Sequence, residues 1–113
     1  MKVKFVLQDI KEARIIRGLF EDNNIETRIY SDMESIDDNE CDIIFIDSRA
    51  IEGVSWNLKI KGDPQLVIIV PSWFKDVEAK RMGEKLGFKD INYIKRPLTS
   101  QELLEYCLKL KKE

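Results

Sequence analysis

At 113 residues the chain suffices for one domain that buries its own core without disulfides or metal, and no second domain is expected. Apolar residues make up 43% and charged residues 35%, and the net charge of -2 argues against unaided binding to nucleic acid or an anionic membrane. Histidine is absent, which excludes histidine-based catalysis, most three-ligand zinc sites and any phosphohistidine within the chain.

The apolar stretch Val3 to Leu7 reads as a first strand and runs into Gln8 and Asp9. Asp9 with Glu12 three positions later has the form of a helix start, and Ile15, Ile16, Leu19 and Phe20 then make an apolar stripe that stops near Asn23 and Asn24. Ile25 to Tyr30 alternates apolar and polar residues, as an edge strand does, and the acidic stretch Ser31 to Glu40 leaves room for a short helix at most. Ile43 to Ile46 and Leu66 to Val70 are apolar throughout, the mark of parallel strands covered on both faces. The first of these ends on Asp47 and the second on Pro71 and Ser72, with Glu52 to Lys61 forming a modest helix between them before the turn at Gly62, Asp63 and Pro64.

Phe74 to Leu86 reads as the next helix, stopped by Gly87, although Gly83 inside it costs about 1 kcal/mol relative to alanine. Ile91 to Ile94 is the last strand and runs into Lys95, Arg96 and Pro97. In the final helix Thr99 and Glu102 make a capping box, Leu98 and Leu103 take the staple positions, and Leu103, Leu104, Cys107 and Leu108 share one face. Lys109, Lys111 and Lys112 suit its carbonyl end.

Cys41 and Cys107 match no metal spacing and follow no secretory segment, so a reducing cytoplasm is the expected setting and both thiols read as small buried hydrophobes. The apolar runs fall far short of the roughly 20 residues of a membrane-spanning helix. Strand and helix patterns alternate along the whole chain, which points to the α/β class: a doubly wound five-stranded parallel sheet, order 2-1-3-4-5, in a flavodoxin-like three-layer sandwich. Sites in such sheets form at the carboxyl ends of the strands where the order reverses. That places a crevice between the first and third strands, beside Asp9 and Asp47, with Ser72 and Arg96 on its border.

With these residues in place the sequence resembles, over essentially its whole length, the receiver domain of bacterial response regulators. Asp47 falls on the phosphoryl-accepting aspartate, Gln8 and Asp9 on the acidic pair after the first strand, and Arg14 fits the usual first-helix pattern. Ser72 lands on the hydroxyl residue after the fourth strand, at the usual distance from Gly87, and Tyr93 takes the switch aromatic's place in the fifth. The chain also departs from that pattern. Gln8 replaces one acid, Arg96 stands where lysine precedes proline, and Trp73 fills a position usually held by a small residue. The loop after Asp47 is short and lacks its proline, while Gly87 to Pro97 is slightly long.

The resemblance implies a signalling module, not an enzyme, that accepts a phosphoryl group on Asp47 from a partner histidine kinase or phosphotransfer protein. Mg2+ would be held by Asp9, Asp47 and the backbone carbonyl of Arg49, with Gln8 contributing weakly or through water. Arg96 would grip the phosphate, Ser72 and Tyr93 would move together as the switch, and the face made by the Phe74 to Leu86 helix, the last strand and the last helix would dock a downstream protein or a second copy. The departures give a second reading, a receiver-like interaction module independent of phosphorylation. A third, a flavodoxin-like binder of a small anion, lacks any glycine-rich phosphate loop.

Overall fold

The computed structural model describes residues 1–37, 39–51, 63–88 and 91–112; the helix expected over Glu52 to Lys61, with Trp56, lies outside them. Five short strands form one parallel sheet: β1 (Lys2–Val6), β2 (Glu26–Tyr30), β3 (Ile43–Asp47), β4 (Gln65–Val70) and β5 (Ile91–Lys95), in the order β2-β1-β3-β4-β5. β3 and β4 are buried almost throughout, because the crossovers cover both faces of a parallel sheet. The helices are α1 (Ile10–Asp22), the four-residue α2 (Ser48–Ile51), α3 (Asp76–Lys85) and α4 (Ser100–Lys112). This is the doubly wound, flavodoxin-like architecture that the alternating pattern predicts.

Side chains alternate across the sheet and so build two cores. Phe5, Phe45, Val67 and Ile69 face α1 and α4, where they meet Ile16, Phe20, Leu103, Leu104 and Cys107. Phe5 stacks on Phe45 at 4.6 Å and receives the edge of Phe20 at 5.2 Å. On the other face Val6, Ile44, Ile46, Ile68 and Val70 meet Ile51, Phe74, Ala79 and Leu86. Asp47 continues the odd-numbered row of Ile43 and Phe45, which sends its carboxylate toward the α1 side.

Two helical stripes are narrower than their sequence suggests. Ile15 is 62% exposed while its neighbour Ile16 is buried, since adjacent residues lie about 100° apart around a helix and only one can face the sheet. Leu108 is likewise exposed, at 37%, and Leu110 takes the buried place on α4. The capping box of α4 is made as expected: the Glu102 N–H donates to Thr99 Oγ1 at 3.1 Å and the Thr99 N–H to Glu102 Oε1 at 3.3 Å.

Among the described residues the connection from β2 to β3 contains one short helical element, the 3-10 turn Met33–Ser35, so part of the sheet is roofed by loop. Lys4, in the middle of β1, sits beneath that loop with 2% of its surface exposed. Its ammonium donates to the carbonyls of Asp37 at 2.9 Å and Asn39 at 2.6 Å and to Asp37 Oδ1 at 2.9 Å, so each of its three protons has an acceptor. The Tyr30 hydroxyl donates to the other Asp37 oxygen at 2.5 Å. Lys4 holds the Asp37 carboxyl well below the usual carboxylate range, with Tyr30 assisting, while burial and that same carboxylate push the Tyr30 phenol up to about 12.

Gly83 has a structural purpose that offsets its poor helix propensity. A Cβ there would lie 2.6 Å from Ile91 Cγ2 and 2.7 Å from Ile91 Cγ1, so the bare backbone lets α3 approach β5. The helix ends at Gly87, whose φ of 85° favours glycine, with the Phe88 N–H returning to the Gly83 carbonyl at 3.3 Å. Gly83→Ala is therefore expected to destabilise the domain by about 1–3 kcal/mol, the cost of overpacking a stiff β-branched neighbour, despite alanine's better propensity. Denaturant unfolding checks the sign; a stabilised variant would show that α3 and β5 have slack between them.

Candidate functional site

Asp47 ends β3 with 1% of its surface exposed, and every lone-pair direction that matters is already taken. The Arg49 N–H donates to Oδ1 at 3.0 Å, so Asp47 caps the turn that opens α2. The same arginine folds back and clamps the carboxylate, Nε to Oδ1 at 3.1 Å and Nη2 to Oδ2 at 2.9 Å. From the far side of the crevice Arg96 Nη2 reaches Oδ2 at 2.8 Å.

Arg96 is itself held. Its Nη1 and Nη2 make a fork on Glu12 Oε2 and Oε1, each at 2.9 Å, so one guanidinium bridges the first turn of α1 to the end of β3. Two cations face two anions and the quartet is neutral. Burial by itself would raise the Asp47 pKa, but the bonds from Arg49 and Arg96 outweigh it and leave the carboxyl below its ordinary value. The Glu12 fork raises Arg96 above its ordinary value against the opposing effect of burial, and the Asp47 bond does the same for Arg49.

The residues expected around the crevice divide into those the fold brings together and those it does not. Asp47 and Arg96 are in direct contact. Asp9 is the N-cap of α1: its Oδ1 accepts from the backbone N–H groups of Lys11 at 3.0 Å and Glu12 at 3.2 Å, and no hydrogen bond links it to Asp47. Gln8 and Ser72 are exposed, and neither bonds Asp47. Tyr93 faces the opposite way, against α3, where a hydrogen bond with Asp76 raises its phenol pKa. Lys95 also turns toward α3, 3.7 Å from Asp76, as strand alternation requires. Trp73 is 75% exposed and leans on Phe74 at 5.6 Å instead of filling the crevice.

Two members of the quartet carry roles that the sequence did not announce. Glu12 has the N3 position of a capping box, yet its carboxylate goes to Arg96 and leaves the box open. Arg49, expected to contribute its backbone carbonyl, also sends its N–H and its side chain to Asp47. As folded, the donors do not fit a divalent cation. Both Asp47 oxygens are occupied by guanidinium, one Asp9 oxygen caps α1, and among the described residues no group of three or more acidic, cysteine or histidine side chains is placed to hold a metal. Magnesium demands near-ideal octahedral oxygen geometry, and it would have to displace Arg49 to find it here.

The fold is shared with a solved structure, NtrX from Brucella abortus in complex with ADP, which matches with a TM-score of 0.66 at 18% sequence identity. The match covers 96% of this chain and 25% of that one, so this chain spans about a quarter of the neighbour's length. At that identity the likeness is one of fold. No protein-family profile and no curated protein matches the sequence. Among the described residues no helix is long and apolar enough to cross a membrane.

The depressed Asp47 pKa has a consequence for stability. A carboxyl whose folded pKa lies below its unfolded value stabilises fully above about pH 4, and that contribution is lost as the pH falls through the folded pKa. Asp37 adds to the same trend. Urea unfolding at neutral pH and near pH 3 should show a marked acid loss in the wild type and a smaller one in Asp47→Asn; equal losses would mean that the arginines do not stabilise the ionised form.

Proposed function

We propose that this domain is a receiver-like protein-interaction module whose central carboxylate is neutralised from within and which works without phosphorylation. The observation that carries the reading is the double clamp on Asp47, with Arg49 across both oxygens and Arg96 on Oδ2. A phosphoryl transfer needs a lone pair of that carboxylate free for attack and a divalent cation to bridge it to the incoming phosphate, and the clamp opposes both. The receiver-like fold supports a binding role; the chemistry at its rim supports independence from a phosphodonor.

The surface best suited to a partner lies on the α3 and β5 side. There Val77, 54% exposed, joins Phe88, Ile91 and Tyr93 around an open groove of about 660 Å³ rimmed by Asp76 and Lys80. An apolar floor with Asp76, Lys80 and Glu84 at its edge suits a protein surface, and two carboxylates against one ammonium disfavour a small anion. A partner protein or a second copy docks on this face in this reading, in a soluble cytoplasmic setting.

The alternative, phosphorylation of Asp47 by a histidine kinase or phosphotransfer protein with magnesium, is favoured by the position of that aspartate at the carboxyl end of β3. The two readings separate in one experiment. Incubation with acetyl phosphate and magnesium should leave the intact mass unchanged, and beryllium fluoride should leave the amide spectrum of residues 47 to 49 unmoved. A gain of one phosphoryl mass that disappears in Asp47→Asn would overturn the proposal in favour of the relay.

A further inference from the structure

We infer that the outward face of α1 docks a second copy of this chain, with the two helices antiparallel across a twofold axis. At about 100° per residue, Lys11, Ile15, Gly18 and Asp22 fall on one stripe of α1, opposite the buried Ala13, Ile16 and Phe20. All four are exposed, Ile15 at 62%. The stripe belongs to the helical layer opposite the groove on α3 and β5, so the inference stands apart from the reading above and both faces can be occupied together.

Three features of the stripe are idle or unfavourable within one copy. Gly18 sits inside the helix, where glycine is a poor former, yet a Cβ built there would meet nothing within 4 Å. It differs in this from Gly83, whose missing side chain makes room for Ile91. Ile15, three residues earlier, holds a bulky aliphatic side chain in water. Lys11 in the first turn and Asp22 at the last residue each stand at the wrong end of the helix dipole, which favours anions at the start and cations at the finish.

An antiparallel copy gives each of them a partner. Lys11 lies four residues before Ile15, and Asp22 four residues after Gly18. The register that sets each Ile15 into the notch over the partner's Gly18 therefore also sets each Lys11 against the partner's Asp22. A bare glycine lets the two backbones approach, and each misplaced charge meets its opposite. The contact uses the same patch on both sides and closes at two copies. One helix on one helix buries less than a standard interface of roughly 1,600 Å², so the dimer is a weak one, with a dissociation constant of about 0.1–1 mM.

Sedimentation velocity and amide spectra of the full chain, taken from about 20 μM to about 2 mM to bracket that constant, test the inference. The wild type should pass from monomer toward dimer, with concentration-dependent shifts centred on residues 11, 15, 18 and 22. Gly18→Gln fills space that is open in the single copy, so it should fold at least as stably as the wild type and associate about tenfold more weakly or less. Ile15→Lys should weaken association in the same way. Lys11→Glu should cost about fivefold, because the symmetry makes each charge pair twice, and Lys11→Glu/Asp22→Lys should restore it. That rescue separates this register from the general stickiness of an exposed isoleucine. A wild type that stays monomeric throughout would overturn the inference and leave the face to an unlike protein or to solvent. A dimer that survives Gly18→Gln, that shifts other residues, or that the double reversal fails to restore would overturn it equally.

Discussion

A carboxylate shut away from water must find its counter-charge inside the protein, and in this domain the placement of Asp47 sets that demand. The strand that carries it is central and covered on both faces, so the side chain at its tip has 2% of its surface in contact with solvent. An ion removed from water loses several kcal/mol of solvation, which is regained only when the partners are close, well oriented and numerous. Four hydrogen bonds meet that condition, two of them from a planar fork that spans both oxygens. Arg96 in turn needs Glu12 to fix its own position, which couples the entry of α1 to the ends of β3 and β5.

The same logic appears a second time, with the sign reversed, under the loop between β2 and β3. Where a helix would have covered the sheet with apolar side chains, the chain provides Lys4 and surrounds its ammonium with two carbonyls and a carboxylate. Both arrangements join segments distant in sequence. Lys4 ties β1 to a loop more than thirty residues on, and Arg96 reaches Glu12 across 84 positions. Each is a polar cluster whose loss of one member leaves a buried charge without compensation, which makes both sites sensitive to substitution in a way that the surrounding aliphatic core is not.

Much of the fold was legible because continuous apolar runs of five or six residues leave few alternatives to a doubly covered strand, as with Ile43 to Ile46 and Leu66 to Val70. The box at Thr99 and Glu102 and the stop at Gly87 were equally plain, since each is set by local backbone chemistry. The site was harder. Glu12 reads as the third residue of a capping box, and nothing in the sequence tells whether its carboxylate turns back to its own helix or across to another strand. Arg49 follows a strand end, where period-two alternation stops and side-chain direction is no longer given by parity. Lys4 lies within an apolar run whose pattern ignores it, and its burial depends on a loop more than thirty positions away. Local rules fix elements; pairings between distant charges depend on the assembled rim.

The two arginines hold Asp47 in its ionised state. A carbon-13 NMR titration of that side-chain carboxyl in the wild-type domain measures it directly. The clamp predicts a midpoint below the ordinary aspartate value of about 3.9, rising when Arg49 is replaced by alanine. A midpoint at or above the ordinary value, unmoved by that replacement, would mean that burial prevails, that the guanidiniums do not grip the carboxylate in solution, and that Asp47 is open to other chemistry.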